Sequence, residues 1–97
     1  MKFETKCIQS GYTPKSGEPR VVPIVQSTTF KYDDAKTMGD LFNFDVAGHF
    51  YTRLSNPTLE AVENKIADLE GGIGAMLTAS GQAASTCTVI ALCSAGD

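Results

Sequence analysis

The sequence is poor in the features that mark several classes of protein. It has no tryptophan, one histidine, three cysteines and no long uninterrupted apolar run. A membrane-spanning helix needs roughly 18 or more consecutive apolar residues, so we expect no membrane partner. The odd number of cysteines, Cys7, Cys87 and Cys93, argues against a disulfide framework. Their spacing matches no zinc signature, and we expect no metal site.

Positive charge is also sparse. The eight Lys and Arg residues are outnumbered by 11 Asp and Glu, and they form no cluster or stripe. A nucleic-acid-binding surface needs such a cluster, so we expect no nucleic-acid partner. The first residues carry charge without an apolar stretch behind it, which is not the pattern of a signal peptide. Together with reduced cysteines, this indicates a cytoplasmic protein. A small anionic ligand needs only one or two donors and is compatible with this composition.

Residues 1–56 show no sustained helical period. Residues 21–30 are rich in β-branched side chains, which favours extended backbone, and Pro23 makes a central strand implausible. A short helix is expected to begin at residues 33–36, followed by an irregular but apolar loop at 38–50. These residues are too apolar for a free linker. We therefore interpret residues 1–56 as an arm that packs on another surface.

Residues 57–97 have a sharper pattern. Asn56 is a good N-cap and Pro57 suits the first helical position, so a helix should begin there and stop at the Gly71-Gly72 pair. An apolar run at 73–79 predicts a buried strand, residues 80–81 a turn, and residues 82–93 a second, largely buried helix. The predicted apolar face of the first helix is Leu59, Val62, Ile66 and Leu69, and its predicted solvent side is Glu60, Glu63, Lys65 and Asp68.

The order helix, strand, turn, helix is the opening of an α/β domain. A single strand that is buried on both faces expects parallel neighbours. The fold class predicted from the sequence is therefore α/β, with residues 57–97 as the start of the domain and residues 1–56 as the arm.

Two short motifs could bind an anion. In the first, Ser80-Gly81-Gln82 leads from the predicted strand into a helix, whose first backbone N–H groups lack acceptors and carry partial positive charge. In the second, Tyr51 and Arg53 stand two residues apart in an extended segment and so point the same way. A guanidinium fork matches phosphate geometry, and the phenol adds a donor. Alone, each motif could equally be an ordinary turn or a surface Arg beside a packing Tyr.

The succession of these motifs resembles one family. Tyr-Thr-Arg at 51–53, Asn-Pro-Thr at 56–58, Leu-Glu-Gly-Gly at 69–72, Ala-Ser-Gly-Gln-Ala-Ala at 79–84 and Ala-Gly-Asp at 95–97 are similar to the N-terminal signature of the Cys/Met-metabolism enzymes that use pyridoxal 5'-phosphate (PLP). Residues 22–30 resemble the N-terminal arm of that family. Its members include cystathionine γ-synthase, cystathionine lyases, methionine γ-lyase and O-acetylhomoserine sulfhydrylase.

The resemblance implies PLP as cofactor and the type I (aspartate aminotransferase-like) transferase fold. It implies that Ser80, Gly81 and Gln82 bind the PLP phosphate at the helix N-terminus. Tyr51 and Arg53 would reach the phosphate of a neighbouring subunit, in a homotetramer built of close dimers. A further role for Tyr51, in activating the substrate amine or the leaving group, is also implied.

Gln82 resembles the O-acetylhomoserine sulfhydrylase branch, because the lyases usually carry Met at this position. The implied reaction is a γ-replacement on O-acetylhomoserine by sulfide or a small thiol, giving homocysteine or methionine. The alternative within the family is a γ-lyase acting on methionine or cystathionine. The family's Schiff-base lysine is expected further along than Asp97, so residues 1–97 alone should be incomplete as an enzyme. A non-catalytic oligomerisation or anion-binding module is the alternative of another class.

Overall fold

The regular structure of the chain is helical. A computed structural model describes residues 1–97. It contains four helices: α1 (Phe3–Gln9), α2 (Ala35–Phe42), α3 (Pro57–Glu70) and α4 (Gly81–Leu92). The strand-like pairing is confined to one isolated antiparallel bridge between Thr29 and Tyr51. The predicted α/β architecture is therefore not confirmed by this structure.

Helix α3 forms as the sequence predicts. Asn56 precedes it in extended conformation, and the Asn56 side-chain oxygen accepts a hydrogen bond from the Thr58 N–H at 2.9 Å. Pro57 occupies the first turn, where a missing N–H costs nothing. Gly71 follows the helix with a φ of 69°, a left-handed conformation that glycine adopts without strain. These signals are local, which is why the sequence located this helix.

The side of α3 that contacts α1 differs from the prediction. Lys6 Nζ donates to Asp68 Oδ1 at 2.8 Å, and Ser10 Oγ donates to Asp68 Oδ2 at 2.5 Å. These two hydrogen bonds, the one from Lys6 first, lower the pKa of Asp68 below its ordinary value. Lys65 Nζ donates to the Cys7 carbonyl at 3.1 Å. The predicted solvent side of α3 is thus the side on which α1 docks, through polar contacts.

The predicted apolar face of α3 remains largely uncovered. Leu59, Val62 and Ile66 each keep more than two-fifths of their surface exposed, at 42%, 42% and 44%. Ala61 lies beside the α1 contact and is buried. The period identified the helix correctly. It could not say which neighbour would cover each side.

Helix α2 is longer than expected, and a small apolar cluster follows it. The Asp34 side chain caps α2 by accepting from the Thr37 N–H at 2.7 Å, a bond that lowers the pKa of Asp34. Because α2 runs to Phe42, the prediction of a loop from residue 38 is wrong for its first residues. Leu41 and Phe50 are buried, and the Phe42 ring centroid lies 4.5 Å from that of Phe50. Helix α1 was also unforeseen, because no side chain caps its start.

Residues 73–79 and helix α4 both lack a packing neighbour within the chain. The predicted strand at 73–79 does not form, because no neighbouring segment offers it a ladder of hydrogen bonds. Helix α4 begins at Gly81 rather than 82 and ends at Leu92. The prediction that α4 is largely buried is wrong here: none of its residues is buried, and no other helix packs on it.

The chain is more open than a compact domain. Its radius of gyration is 16.3 Å, whereas a compact domain of this length has about 12.5 Å. Four residues of 97 are buried, so the chain has only the beginnings of a core. None of the four helices has the length and apolar character needed to cross a bilayer.

Candidate functional site

Tyr51 and Arg53 share a tight turn that brings their polar ends together. The backbone N–H groups of Leu54 and Ser55 both donate to the Tyr51 carbonyl, at 3.0 and 3.1 Å. Arg53 Nη2 donates to the Tyr51 hydroxyl at 3.2 Å, and its guanidinium carbon lies 5.2 Å from the Tyr51 ring centroid. The two side chains were expected to point the same way because the segment was predicted to be extended. Residues 52–54 instead form a turn, and it is this turn that places the two side chains in direct contact.

The charge on Arg53 is not neutralised within the chain. Arg53 is exposed and forms no salt bridge, although 11 carboxylate side chains are present. One of its five N–H donors is used on the Tyr51 hydroxyl. A guanidinium with free donors beside a phenol is a suitable donor pair for an oxyanion.

The turn is fastened to the extended segment that precedes α2. The Thr52 N–H donates to the Thr28 carbonyl at 2.8 Å, and the Thr52 hydroxyl donates to the Ser27 carbonyl. Asn56 Nδ2 donates to Thr52 Oγ1 at 3.2 Å and to the Val25 carbonyl at 3.0 Å. The bridge between Thr29 and Tyr51 continues this contact. Residues 25–29 therefore support the back of the turn.

His49 supports the turn from its other end, and the sequence did not indicate this role. Its Nδ1 lies 2.8 Å from Ser55 Oγ, and its Nε2 lies 3.1 Å from Glu60 Oε2. The Tyr32 hydroxyl donates to the His49 carbonyl at 2.5 Å. A lone histidine in an irregular segment carries no signal of such partners, because they come from the following turn and from α3. No group of three or more His, Cys, Asp or Glu is placed to hold a metal ion.

The second predicted site is the start of α4. Ser80 precedes the helix in extended conformation, and its Oγ accepts from the Ala83 N–H at 3.0 Å. The Ser80 carbonyl accepts from the Ala84 N–H at 3.1 Å. The backbone N–H groups of Gly81 and Gln82 donate to no protein acceptor. Space around Gly81 is open, with nothing within 4 Å of the position a Cβ would take.

These donors have the chemistry that a phosphate group requires. Two free amides point from the first turn of α4, where the helix dipole adds partial positive charge. The Ser80 hydroxyl keeps its own hydrogen free to donate, since it serves the helix only as an acceptor. None of Ser80, Gly81 and Gln82 is hydrogen-bonded to a carboxylate, which would repel an anion.

The structure does not join the two candidate anion-binding clusters, residues 51–53 and residues 80–82, in one chain. No hydrogen bond or salt bridge links residues 51–53 to residues 80–82. Two surface clefts, of about 580 and 800 Å³, lie elsewhere. The first is bordered by His49 and Glu60, and the second by α1 and α3; neither includes Tyr51, Arg53 or the start of α4. The donor chemistry of these residues, rather than either of these two clefts, therefore makes them the candidate site.

Known proteins are similar to this sequence over nearly its whole length. An O-acetyl-L-homoserine sulfhydrylase from Corynebacterium glutamicum is 45% identical over 96 residues, which cover 98% of this chain and 22% of that protein. A homocysteine/cysteine synthase from Kluyveromyces lactis is 41% identical over 97 residues, with the same two coverages. An L-methionine gamma-lyase from Pseudomonas putida is 41% identical over 96 residues, covering 98% of this chain and 24% of that protein.

The chain spans less than a quarter of the length of these relatives. The sequence profile of the Cys/Met metabolism PLP-dependent enzymes matches residues 4–97, a range that includes both candidate clusters. The chain therefore belongs to the family of Cys/Met metabolism PLP-dependent enzymes.

Proposed function

We propose that the complete protein catalyses a γ-replacement on O-acetyl-L-homoserine. Acetate leaves from Cγ, and sulfide or a small thiol adds there, giving homocysteine or methionine. Bound PLP supplies the electron sink that such chemistry at an amino acid requires. The type I α/β transferase fold, the homotetramer and the cytoplasmic location are part of the same proposal.

Gln82 is the residue that favours γ-replacement over the γ-lyase reaction in this proposal. It follows Ser80-Gly81 at the second position of α4, in the form that resembles the sulfhydrylase branch. Two of the relatives described above are named as a sulfhydrylase and a synthase, which supports the same choice. A third is named as a methionine gamma-lyase at 41% identity, so the lyase is kept as the second candidate.

The donors found in this chain fit the phosphate of PLP. Gly81 and Gln82 would each give a backbone N–H, and Ser80 a hydroxyl, to phosphate oxygens in their own subunit. Arg53 would add a fixed positive charge and a planar fork of donors. Tyr51 would add its phenol, which already lies 3.2 Å from the Arg53 guanidinium.

The site is proposed to be shared between subunits. Tyr51 and Arg53 would act on the phosphate bound by the neighbouring subunit, with residues 1–56 as the arm that carries them there. Arg53 is exposed and Tyr51 is half-buried, and their side chains hydrogen-bond to no residue outside the pair. Tyr51 is further proposed to hold or move a proton at the substrate amine or the leaving group. The Schiff-base lysine would come from outside these 97 residues.

Product analysis on the complete protein tests the reaction. The PLP-loaded protein should convert O-acetylhomoserine and sulfide into homocysteine and acetate in equal amounts. The same protein incubated with methionine alone should release little α-keto acid and ammonia. Release of α-keto acid and ammonia as main products would instead establish the lyase. Failure to bind PLP would reject both.

A further inference from the structure

Asn56 is the buried polar residue of the chain, and its side chain serves more than the helix that it caps. It is 3% exposed. Its Oδ1 accepts from the Thr58 N–H at 2.9 Å, which caps α3. Its Nδ2 donates to the Val25 carbonyl at 3.0 Å and to Thr52 Oγ1 at 3.2 Å. Three of the four hydrogen-bonding positions of this amide are therefore occupied.

Helix capping alone does not need the amide nitrogen. Asp34 caps α2 with a carboxylate, and Ser80 caps α4 with a hydroxyl, each accepting one hydrogen bond from a helix N–H. Serine, aspartate and asparagine are about equally good caps. The two donors of Asn56 are thus additional, and their acceptors lie outside the helix.

One of those acceptors stands between the two proposed phosphate-binding residues. Thr52 is flanked by Tyr51 and Arg53, and it is held from three sides. Its N–H donates to the Thr28 carbonyl, its hydroxyl donates to the Ser27 carbonyl, and the same hydroxyl accepts from Asn56. Rotation of the backbone at Thr52 would change the orientation of Tyr51 and Arg53 relative to each other.

We infer that Asn56 is a positioning residue for the phosphate-binding pair Tyr51 and Arg53, acting through Thr52. The inference rests on the proposed function, since it assumes that this pair binds the PLP phosphate. Asn56 touches neither cofactor nor substrate. It fixes the turn so that the two donors are already oriented before the anion arrives, which lowers the ordering cost of binding.

The test uses the complete protein and two ligands that differ only in the phosphate. Asn56→Ser keeps a neutral N-cap but loses both amide donors. PLP affinity should fall about three- to ten-fold, the size expected for a lost hydrogen bond that orients a binding group. Affinity for pyridoxal, which lacks the phosphate, should stay within about two-fold. If the role of Asn56 were purely structural, the affinities for PLP and for pyridoxal would fall together.

Thr52 gives a second variant pair. Thr52→Val has nearly the same shape but no hydroxyl, and it should reproduce the loss of PLP affinity seen for Asn56→Ser. Thr52→Ser keeps the hydroxyl and should retain most of the affinity. Asp34→Ser likewise replaces an N-cap by serine, at a helix whose cap bonds to Thr37 and makes no bond to the turn. The Asp34→Ser change should leave the affinities for PLP and for pyridoxal unchanged.

Coupling with Arg53 completes the test. If Asn56 acts through the phosphate-binding pair, Asn56→Ser should add little further loss in an Arg53→Ala background. Full additivity, equal loss of PLP and pyridoxal, or unchanged PLP affinity in both Asn56→Ser and Thr52→Val would overturn the inference. A wild-type protein that does not bind PLP, or that is insensitive to Arg53→Ala, would reject the proposed role of the pair itself.

Discussion

Replacing Arg53 by alanine is the sharpest perturbation of the proposed cofactor site. A charge-assisted hydrogen bond to phosphate is worth about 1.5–3 kcal/mol, so PLP affinity should fall about ten- to a hundred-fold. The protein itself should lose little stability. Arg53 is exposed, forms no salt bridge and makes one side-chain hydrogen bond, to the Tyr51 hydroxyl at 3.2 Å. Such surface changes usually cost within about 0.5 kcal/mol.

Two variants test whether the loss of PLP affinity is due to removal of the guanidinium at position 53. Arg53→Lys keeps the charge but not the planar fork, so it should recover only part of the affinity. Arg20 is the other arginine of the chain and is likewise exposed. Arg20→Ala therefore removes the same charge elsewhere, and it should leave PLP affinity unchanged. PLP titration followed by absorbance, with denaturant unfolding as the stability control, measures both quantities.

Mixing subunits tests whether Arg53 acts on its neighbour. One subunit type carries Arg53→Ala, and the other carries a disabled Schiff-base lysine. If the site is shared, a mixed dimer contains one intact site, formed by the arm of the second type and the lysine of the first. Activity should then rise well above that of either parent. If mixed dimers form and no activity returns, the shared-site proposal is wrong.

Three further expectations concern the α1 contact and the cysteines. In Gly11→Ala the new Cβ would lie 2.2 Å from the Ala61 carbonyl oxygen, so hydrogen exchange of the α1 amides should show their protection reduced by about 1–3 kcal/mol. Gly17→Ala, at a similarly positive φ but with no neighbouring atom, should leave the protection of α1 unchanged. Equal effects of the two changes would contradict the contact. Because the pKa of Asp68 is lowered in the folded chain, its contribution to the stability of the α1 contact is full above the ordinary carboxylate pKa range. That contribution is lost as the pH falls through the lowered pKa. Asp68→Asn should remove this part of the acid dependence of α1 protection, and an unaltered pH profile would refute the role of the carboxylate. Thiol titration of the denatured, unreduced protein should find three free thiols, and a lower count would reveal a disulfide among Cys7, Cys87 and Cys93.

Local signals explain what could be predicted from the sequence. The start of α3 depends on Asn56 and Pro57, and its end depends on Gly71, all within a few residues of the helix boundary. The start of α4 depends on Ser80, which caps the helix from what the sequence predicted as a turn, so the predicted start at residue 82 is one residue late. The proximity of Tyr51 and Arg53 was expected from a two-residue separation in an extended segment, whereas the structure obtains it from a turn. Caps are encoded by neighbouring residues, so the sequence alone was enough for the boundaries of α3.

Contacts between distant residues were decided only by the tertiary structure. The hydrogen bond that docks α1 joins Lys6 to Asp68 across 62 positions, and it turned a predicted solvent side into a contact side. A hydrogen bond beside the proposed phosphate-binding turn joins Asn56 to Val25 across 31 positions. Conversely, the apolar pattern of α4 was visible in the sequence, yet no helix of this chain covers it. Periodicity shows which side chains share a face, but the partner of that face is set by how the chain folds back in space, which no local pattern specifies.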